Sequence, residues 1–122
     1  MIRPQKEFPL IDQFKIFPIT DETIFAYKGD IYANHDLPQD ILIHEEVHLD
    51  QQNNYGADDW IKRYLIDNEF RLKEEIEAFK TQVNFHKDRE QRNKSRILCA
   101  KALSSQLYGN ILTYSQAFNI LK

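Results

Sequence analysis

Apolar and polar positions follow two different periods along this chain. In the first third the period is short. The segment IDQFKIFPIT contains an alternating run, and TIFAYKGDIYAN holds two more, joined around Lys28-Gly29, which predicts a β-hairpin. From Leu37 onward the spacing lengthens to that of helices. Leu37-Pro38-Gln39-Asp40 predicts a helix start, with proline in the first turn and an acidic residue at the positive helix end. That helix is expected to run to about Asn54, where Asn53-Asn54-Tyr55-Gly56 stops it. Trp60, Ile61, Tyr64 and Leu65 share a face over 58–66. Leu72, Ile76, Phe79 and Val83 share another on a long helix capped by Asn68 and reaching about Lys87. Two further helices are expected, Ser95 to Tyr108 and Tyr114 to Leu121, divided at Gly109-Asn110. The expectation is one α+β domain spanning 1–122, with a small N-terminal antiparallel sheet packed on a helical remainder.

Composition narrows the function classes. A chain of 122 residues with 42% hydrophobic and 29% charged content is ordinary for one globular domain. A net charge of −3 gives no general affinity for nucleic acid or membranes. The basic run HKDREQRNKSR, residues 86–96, sits where the long helix ends and reads as a solvated connection. No stretch reaches the roughly 18 apolar residues of a membrane span, and MIRPQKEFPL has no apolar leader core, so a cytoplasmic location is the expectation. The single cysteine excludes an internal disulfide and any Cys-rich metal site; Cys99 falls on the apolar stripe Cys99–Ala100–Leu103–Leu107. There is no G-x-S-x-G nucleophile turn and no phosphate-binding glycine loop.

Candidate chemistry concentrates in ILIHEEVHLDQQ, residues 41–52. Residues four apart on a helix lie one above the other, with Cβ atoms about 5–6 Å apart. His44 and His48 can therefore aim at one metal ion. Glu45 is turned about 100° away from His44 and is placed to reach a water there, the position of a general base. This is the physical content of the H-E-x-x-H pattern. The competing reading is a helix whose two histidines are buried and bonded to backbone carbonyls.

A catalytic zinc usually has three protein ligands and one open position. FRLKEEIEAFK offers Glu74, Glu75 and Glu77. Glu75 lies three residues after Leu72 and four before Phe79, on the stripe that must face the core, where a carboxylate needs compensation. It is the expected third ligand, with Glu74 and Glu77 on the flanks as alternatives. His86 lies eleven residues beyond Glu75, about 16 Å along the same helix, and is too far to join them. His35 reads as a surface residue of the preceding loop.

With His44-Glu45-x-x-His48 and the later Glu75-Ile76-Glu77-Ala78, the chain resembles the zincin metallopeptidases of the gluzincin type over roughly residues 24–83. The metzincin branch would need Gly and His where Gln51 and Asn54 stand. The resemblance implies one Zn²⁺ per chain held by His44, His48 and Glu75, with Glu45 activating water for peptide hydrolysis. It also implies a peptide or protein substrate lying extended along an edge strand, for which Asp30 to Asn34 is the expected edge. Small intracellular peptidases of mobile elements have a similar arrangement, and a stand-alone domain of phage or prophage origin would fit the size. Departures are Phe79, where an aspartate often follows the alanine, and the charged Glu46 and Asp50, which share a face with Asn53 and read as solvated. A non-catalytic zinc-binding or interaction module that keeps the ligands without a usable cleft is the alternative. Tyr55, Tyr64 and Tyr108 are the tyrosines available to hold an oxyanion, and the pattern selects none of them.

Overall fold

The computed structural model describes residues 2–122. Strands β1 (Ile2–Arg3), β2 (Phe25–Tyr27) and β3 (Asp30–Tyr32) precede helices α1 (Gln39–Tyr55), α2 (Ala57–Ile66), α3 (Asn68–Phe85), α4 (Arg89–Leu103) and α5 (Tyr114–Ile120). This is an α+β fold, as the change of period predicts. The hairpin is where the sequence places it. Lys28 (φ 47°) and Gly29 (φ 86°) both take left-handed backbone, the pair of conformations that matches a two-residue turn to the strand twist.

The sheet itself departs from the antiparallel expectation. Its order is β1-β3-β2; β2 runs antiparallel to β3, while β1 runs parallel to it, with Ile2 opposite Ile31 and Arg3 opposite Tyr32. Two paired residues ended by Pro4 are too short to leave a periodic signal. Parallel pairing is also a long-range event, here spanning the whole crossover from Arg3 to Asp30. One consequence corrects the expected substrate edge. The strand within 30–34 is the central one, paired on both sides, so its backbone is not available to an incoming strand.

The segment IDQFKIFPIT is not a strand either. Residues Gln13–Ile16 form a 3-10 turn, which brings Phe14 and Phe17, three apart, to the same side. Phe14 is buried, whereas Ile16, which would share its face in a strand, is 67% exposed. Gln5 fastens this crossover from beneath, its side-chain amide donating to the carbonyls of Thr20 (2.7 Å) and Thr23 (2.8 Å).

Helix boundaries differ where capping decides. Asp67, rather than Asn68, caps α3 by accepting from the Phe70 amide at 3.0 Å, and it separates α2 from α3. Asp88 likewise caps α4 by accepting from Gln91, so most of the basic run is the exposed first half of a helix and not a connection. At the other end of α4, the Ser104 and Ser105 hydroxyls donate to the carbonyls of Ala100 and Ala102, and the chain closes into a short 3-10 turn at Gln106–Tyr108. Gly109 ends that turn at φ 79°, with Asn68 so close that a Cβ would meet it at 3.0 Å.

Two apolar clusters result. An aromatic one joins Phe8, Phe14, Phe25, Tyr27 and Tyr32 to Trp60, Ile61 and Phe70, with Phe8 and Phe25 stacked at 4.3 Å. A mainly aliphatic one joins Leu72 and Val83 of α3 to Cys99, Ala100 and Leu103 of α4 and to Ala117 and Leu121. Burial pushes the Cys99 thiol up to about 11, so it is an inert core group. Among the described residues no helix is long and apolar enough to cross a membrane. Leu103 is fully enclosed, so Leu103→Ala is expected to lower unfolding free energy by about 2–5 kcal/mol, read from the urea midpoint at unchanged slope.

Candidate metal centre

Helix α1 packs most extensively on α3, and the histidine face of the first meets the glutamate stripe of the second. His44 and His48 stand one turn apart, with ring centroids 4.9 Å from each other and planes nearly perpendicular. Both Nε2 atoms face the same oxygen, Glu75 Oε1, at 3.1 Å from His44 and 2.9 Å from His48. All three side chains are buried, and one ligand atom from each falls within 4.8 Å of the others. Glu74 and Glu77 do not join them. Glu74 accepts from the Trp60 indole at 2.9 Å, and Glu77 lies on the exposed side of the helix.

The donor set fits a divalent ion. Ligand atoms at about 2.0–2.1 Å from a tetrahedral ion stand roughly 3.3 Å apart, a few tenths of an ångström beyond the two imidazole–carboxylate distances seen here. Charge points the same way. Two carboxylates, Glu45 and Glu75, are buried together, and a doubly positive ion would balance both.

Surrounding groups fix the donors. Gln51, one turn before the end of α1, donates its side-chain amide to the Glu74 carbonyl at 3.0 Å, which turns its oxygen toward His48 Nδ1 at 2.8 Å. The Nδ1–H of His48 is thereby committed, and Nε2 is the atom left for a ligand. Tyr64 donates to the other oxygen of Glu75 at 2.5 Å. Tyr64 is in turn held from below by Arg71, a buried guanidinium that donates to the carbonyls of Tyr64 and Leu107 and to the Asn68 side chain.

Electrostatics follow from these contacts. Burial pulls the His48 imidazole down, but the adjacent Glu75 carboxylate more than reverses this and holds it up at about 9. Burial would raise Glu75, yet the two imidazoles keep it well below the usual carboxylate range. Glu45 is different. Burial raises it and Glu75 adds to the rise, with only partial relief from His44 and His48. Its Oε2 lies 3.9 Å from His44 Nε2, and among the described residues it accepts no hydrogen bond. It is a carboxylate poised beside the ligand atoms without a committed partner.

Phe79, already a departure from the resembled pattern, stands beside the triad. It packs edge-on against the His44 ring at 4.5 Å, and His44 Nδ1 is buried without a partner. The remaining sequence candidates fall elsewhere. His86 bonds Asp40 at 3.0 Å and ties the end of α3 to the start of α1, and His35 pairs with Glu22 at the surface. Tyr55 is exposed and accepts from Arg63. Glu46, Asp50 and Asn53 form the solvated face expected of them.

A cavity of about 340 Å³ opens directly onto the triad. His44, Glu45, His48, Glu75, Tyr64 and Tyr108 form its polar end, and the rest of its wall is almost wholly apolar. Burial, with the Glu75 and Glu45 carboxylates nearby, pushes the Tyr108 phenol well above its ordinary range, so it is a permanent hydroxyl at this wall. Gln51, Tyr64 and Tyr108 were not selected from the sequence. Gln51 lies three residues after His48, close enough on a helix to have been a signal; the tyrosines carry none. Compared with protein-family models, curated proteins and solved structures, the chain matches none.

Protein purified without added metal is expected to carry close to one divalent ion per chain by elemental analysis. His44→Ala and Glu75→Ala are expected to lose it, and Glu74→Ala and Glu77→Ala to keep it. Gln51→Ala, which frees the His48 ring without removing a ligand, is expected to weaken metal affinity by about 10- to 100-fold in a chelator competition.

Proposed function

We propose that the chain is a zinc-dependent metallopeptidase of the gluzincin type, with His44, His48 and Glu75 as ligands and Glu45 as general base. The observation that carries this reading is the uncommitted Glu45 carboxylate at the triad, on the wall of a cavity that admits a substrate. A module that bound zinc only for structure would need neither. Two imidazoles and one carboxylate are the donor types that suit zinc. Bound there, the ion supplies Lewis acidity and brings the pKa of a coordinated water toward about 7.

The protein's own part is positional and protonic. Glu45 takes the proton of the attacking water on its carboxylate and returns it to the leaving nitrogen, so that it ends each cycle as it began. Tyr108 offers its hydroxyl to the carbonyl oxygen as negative charge develops on it. Tyr64 is committed to Glu75 and serves to position that ligand. The substrate is a peptide or protein segment, laid along the outer side of β2, whose approach Thr23–Ala26 flank at the cavity. Gln52 restricts this track. Its side chain already donates to the Ala26 carbonyl at 2.7 Å and accepts from the Lys28 amide at 3.1 Å, and Thr23 is bonded to Gln5 and Thr20, so Ile24 is the part of the edge left for a substrate.

Glu45→Gln is expected to retain the metal and lose turnover by about 10²- to 10⁴-fold in a peptide-cleavage assay. A metal-loaded wild type that cleaves nothing across a broad peptide library would overturn the proposal in favour of the binding module. Tyr108→Phe is expected to lower kcat by about 10²-fold with little change in KM, the mark of a bond made in the transition state.

A further inference from the structure

Among the described residues four glutamines are buried, and three of them hold the fold together. Gln5 donates to the Thr20 and Thr23 carbonyls, Gln51 joins His48 to the Glu74 carbonyl, and Gln52 fastens the β2 edge. Gln82 differs. It is 8% exposed, yet its side-chain amide has no hydrogen-bond partner among the described residues. Nor is that amide sealed in, because the one side-chain atom there that is both enclosed and unpartnered is His44 Nδ1. Gln82 lines the cavity at the triad, so its amide is open to that space. It follows Glu75 by seven residues, two helical turns, so both stand on one face of α3 about 10 Å apart along its axis. Phe79 lies between them, and Ile41 of α1 lines the same cavity. One turn beyond Gln82, His86 and Asp40 are engaged with each other at 3.0 Å and are not part of the wall.

We propose that Gln82 is a specificity-determining residue that reads a carboxamide side chain of the substrate, that of a glutamine beside the cleaved bond. The inference rests on the peptidase reading for the bond that is cut, and on the cavity alone for the group that is bound. An apolar-walled cavity with one uncommitted amide selects by what that amide lacks. A carboxamide answers both halves of Gln82 with one parallel pair of bonds: its N–H donates to the Gln82 carbonyl while its own carbonyl accepts from the Gln82 amide. A carboxylate can only accept, and it would shed its water beside Phe79 and Ile41 with no cation to receive it. An ammonium can only donate and suffers the same loss. A methionine side chain has the length but would leave the Gln82 amide unmet, and a buried polar group left unpaired is what makes such sites reject apolar analogues. Length favours glutamine over asparagine, because two turns of α3 separate Gln82 from the metal end and asparagine is one methylene shorter.

Binding is measured first, without turnover. N-acetylated amides of glutamine, methionine and glutamate are titrated into the full chain while following the emission of Trp60, the single tryptophan, which lines the cavity. The glutamine compound is expected to bind at least tenfold tighter than either of the others. Equal affinities, a preference for methionine or glutamate, or no saturable response overturn the role of Gln82. Gln82→Met removes the amide and keeps the length. It is expected to erase the glutamine preference and, because no bond of the fold is lost, to leave the urea midpoint unchanged, whereas Gln52→Met lowers it. A preference that survives the substitution, or a midpoint lowered as far as that of Gln52→Met, overturns the role as well. Cleavage is tested apart, with zinc-loaded protein and a peptide series on one scaffold that carries glutamine, methionine or glutamate beside a candidate bond. If no peptide is cut while the binding preference holds, the peptidase reading falls alone. If peptides are cut and the titration shows no glutamine preference, Gln82 falls alone. Where both hold, glutamine is expected to exceed methionine in kcat/KM by about 10- to 100-fold, and equal values overturn its place beside the bond.

Discussion

Two imidazoles and two carboxylates are withdrawn from water between α1 and α3, within 122 residues. Burying ionisable groups costs several kcal/mol each unless they compensate one another. Here compensation dictates geometry. Both Nε2 atoms turn toward one oxygen of Glu75, the nearest buried carboxylate, with Glu45 farther off at 3.9 Å from His44, and Tyr64 takes the second Glu75 oxygen so that it is not orphaned. The close pairing of the two helices follows from the need to keep these atoms together. The fully buried Ala78, one turn beyond Glu75, shows how tightly that part of α3 is enclosed.

Around this polar knot the two apolar clusters divide the work. The aliphatic cluster fills its space: Leu103, Ala100 and Ala117 are completely enclosed. The aromatic cluster does not fill its own. Rigid rings on the crossover, the hairpin and α2 meet edge to face and leave a lined space beside the metal ligands. The open space is thus placed where packing is made from the stiffest side chains. The sheet contributes through its outer strand rather than its centre, and Gln52 satisfies part of that edge, which also guards it against unwanted strand pairing.

The chemistry of the site separates into groups that touch and groups that hold. His44, His48 and Glu75 offer atoms that could hold a metal ion, while Gln51, Tyr64 and Arg71 set their orientation through hydrogen bonds at the end of α1, in α2 and early in α3. Glu45 belongs to neither set: it is buried beside the ligand atoms without a hydrogen-bond partner, and the proposed role of general base rests on that freedom. The Phe79 ring packs against His44, whose buried Nδ1 has no hydrogen-bond partner.

Local patterns in the sequence determined whatever depends on local geometry. Four-residue spacing put His44 and His48 on one face, the Leu72–Phe79 stripe turned Glu75 inward, and Lys28-Gly29 made the hairpin, because each requires only the backbone period and a few neighbouring residues. Tertiary structure alone decided the remainder. The parallel partnership of β1 with β3, the 3-10 turn that replaced a strand at Gln13–Ile16, and the meeting of Phe17, Trp60 and Phe79 around one cavity join residues far apart in the chain. No period along a single segment encodes them. They arise because the aromatic side chains of the crossover must find apolar surface, and that surface exists only once α2 and α3 have folded against the sheet.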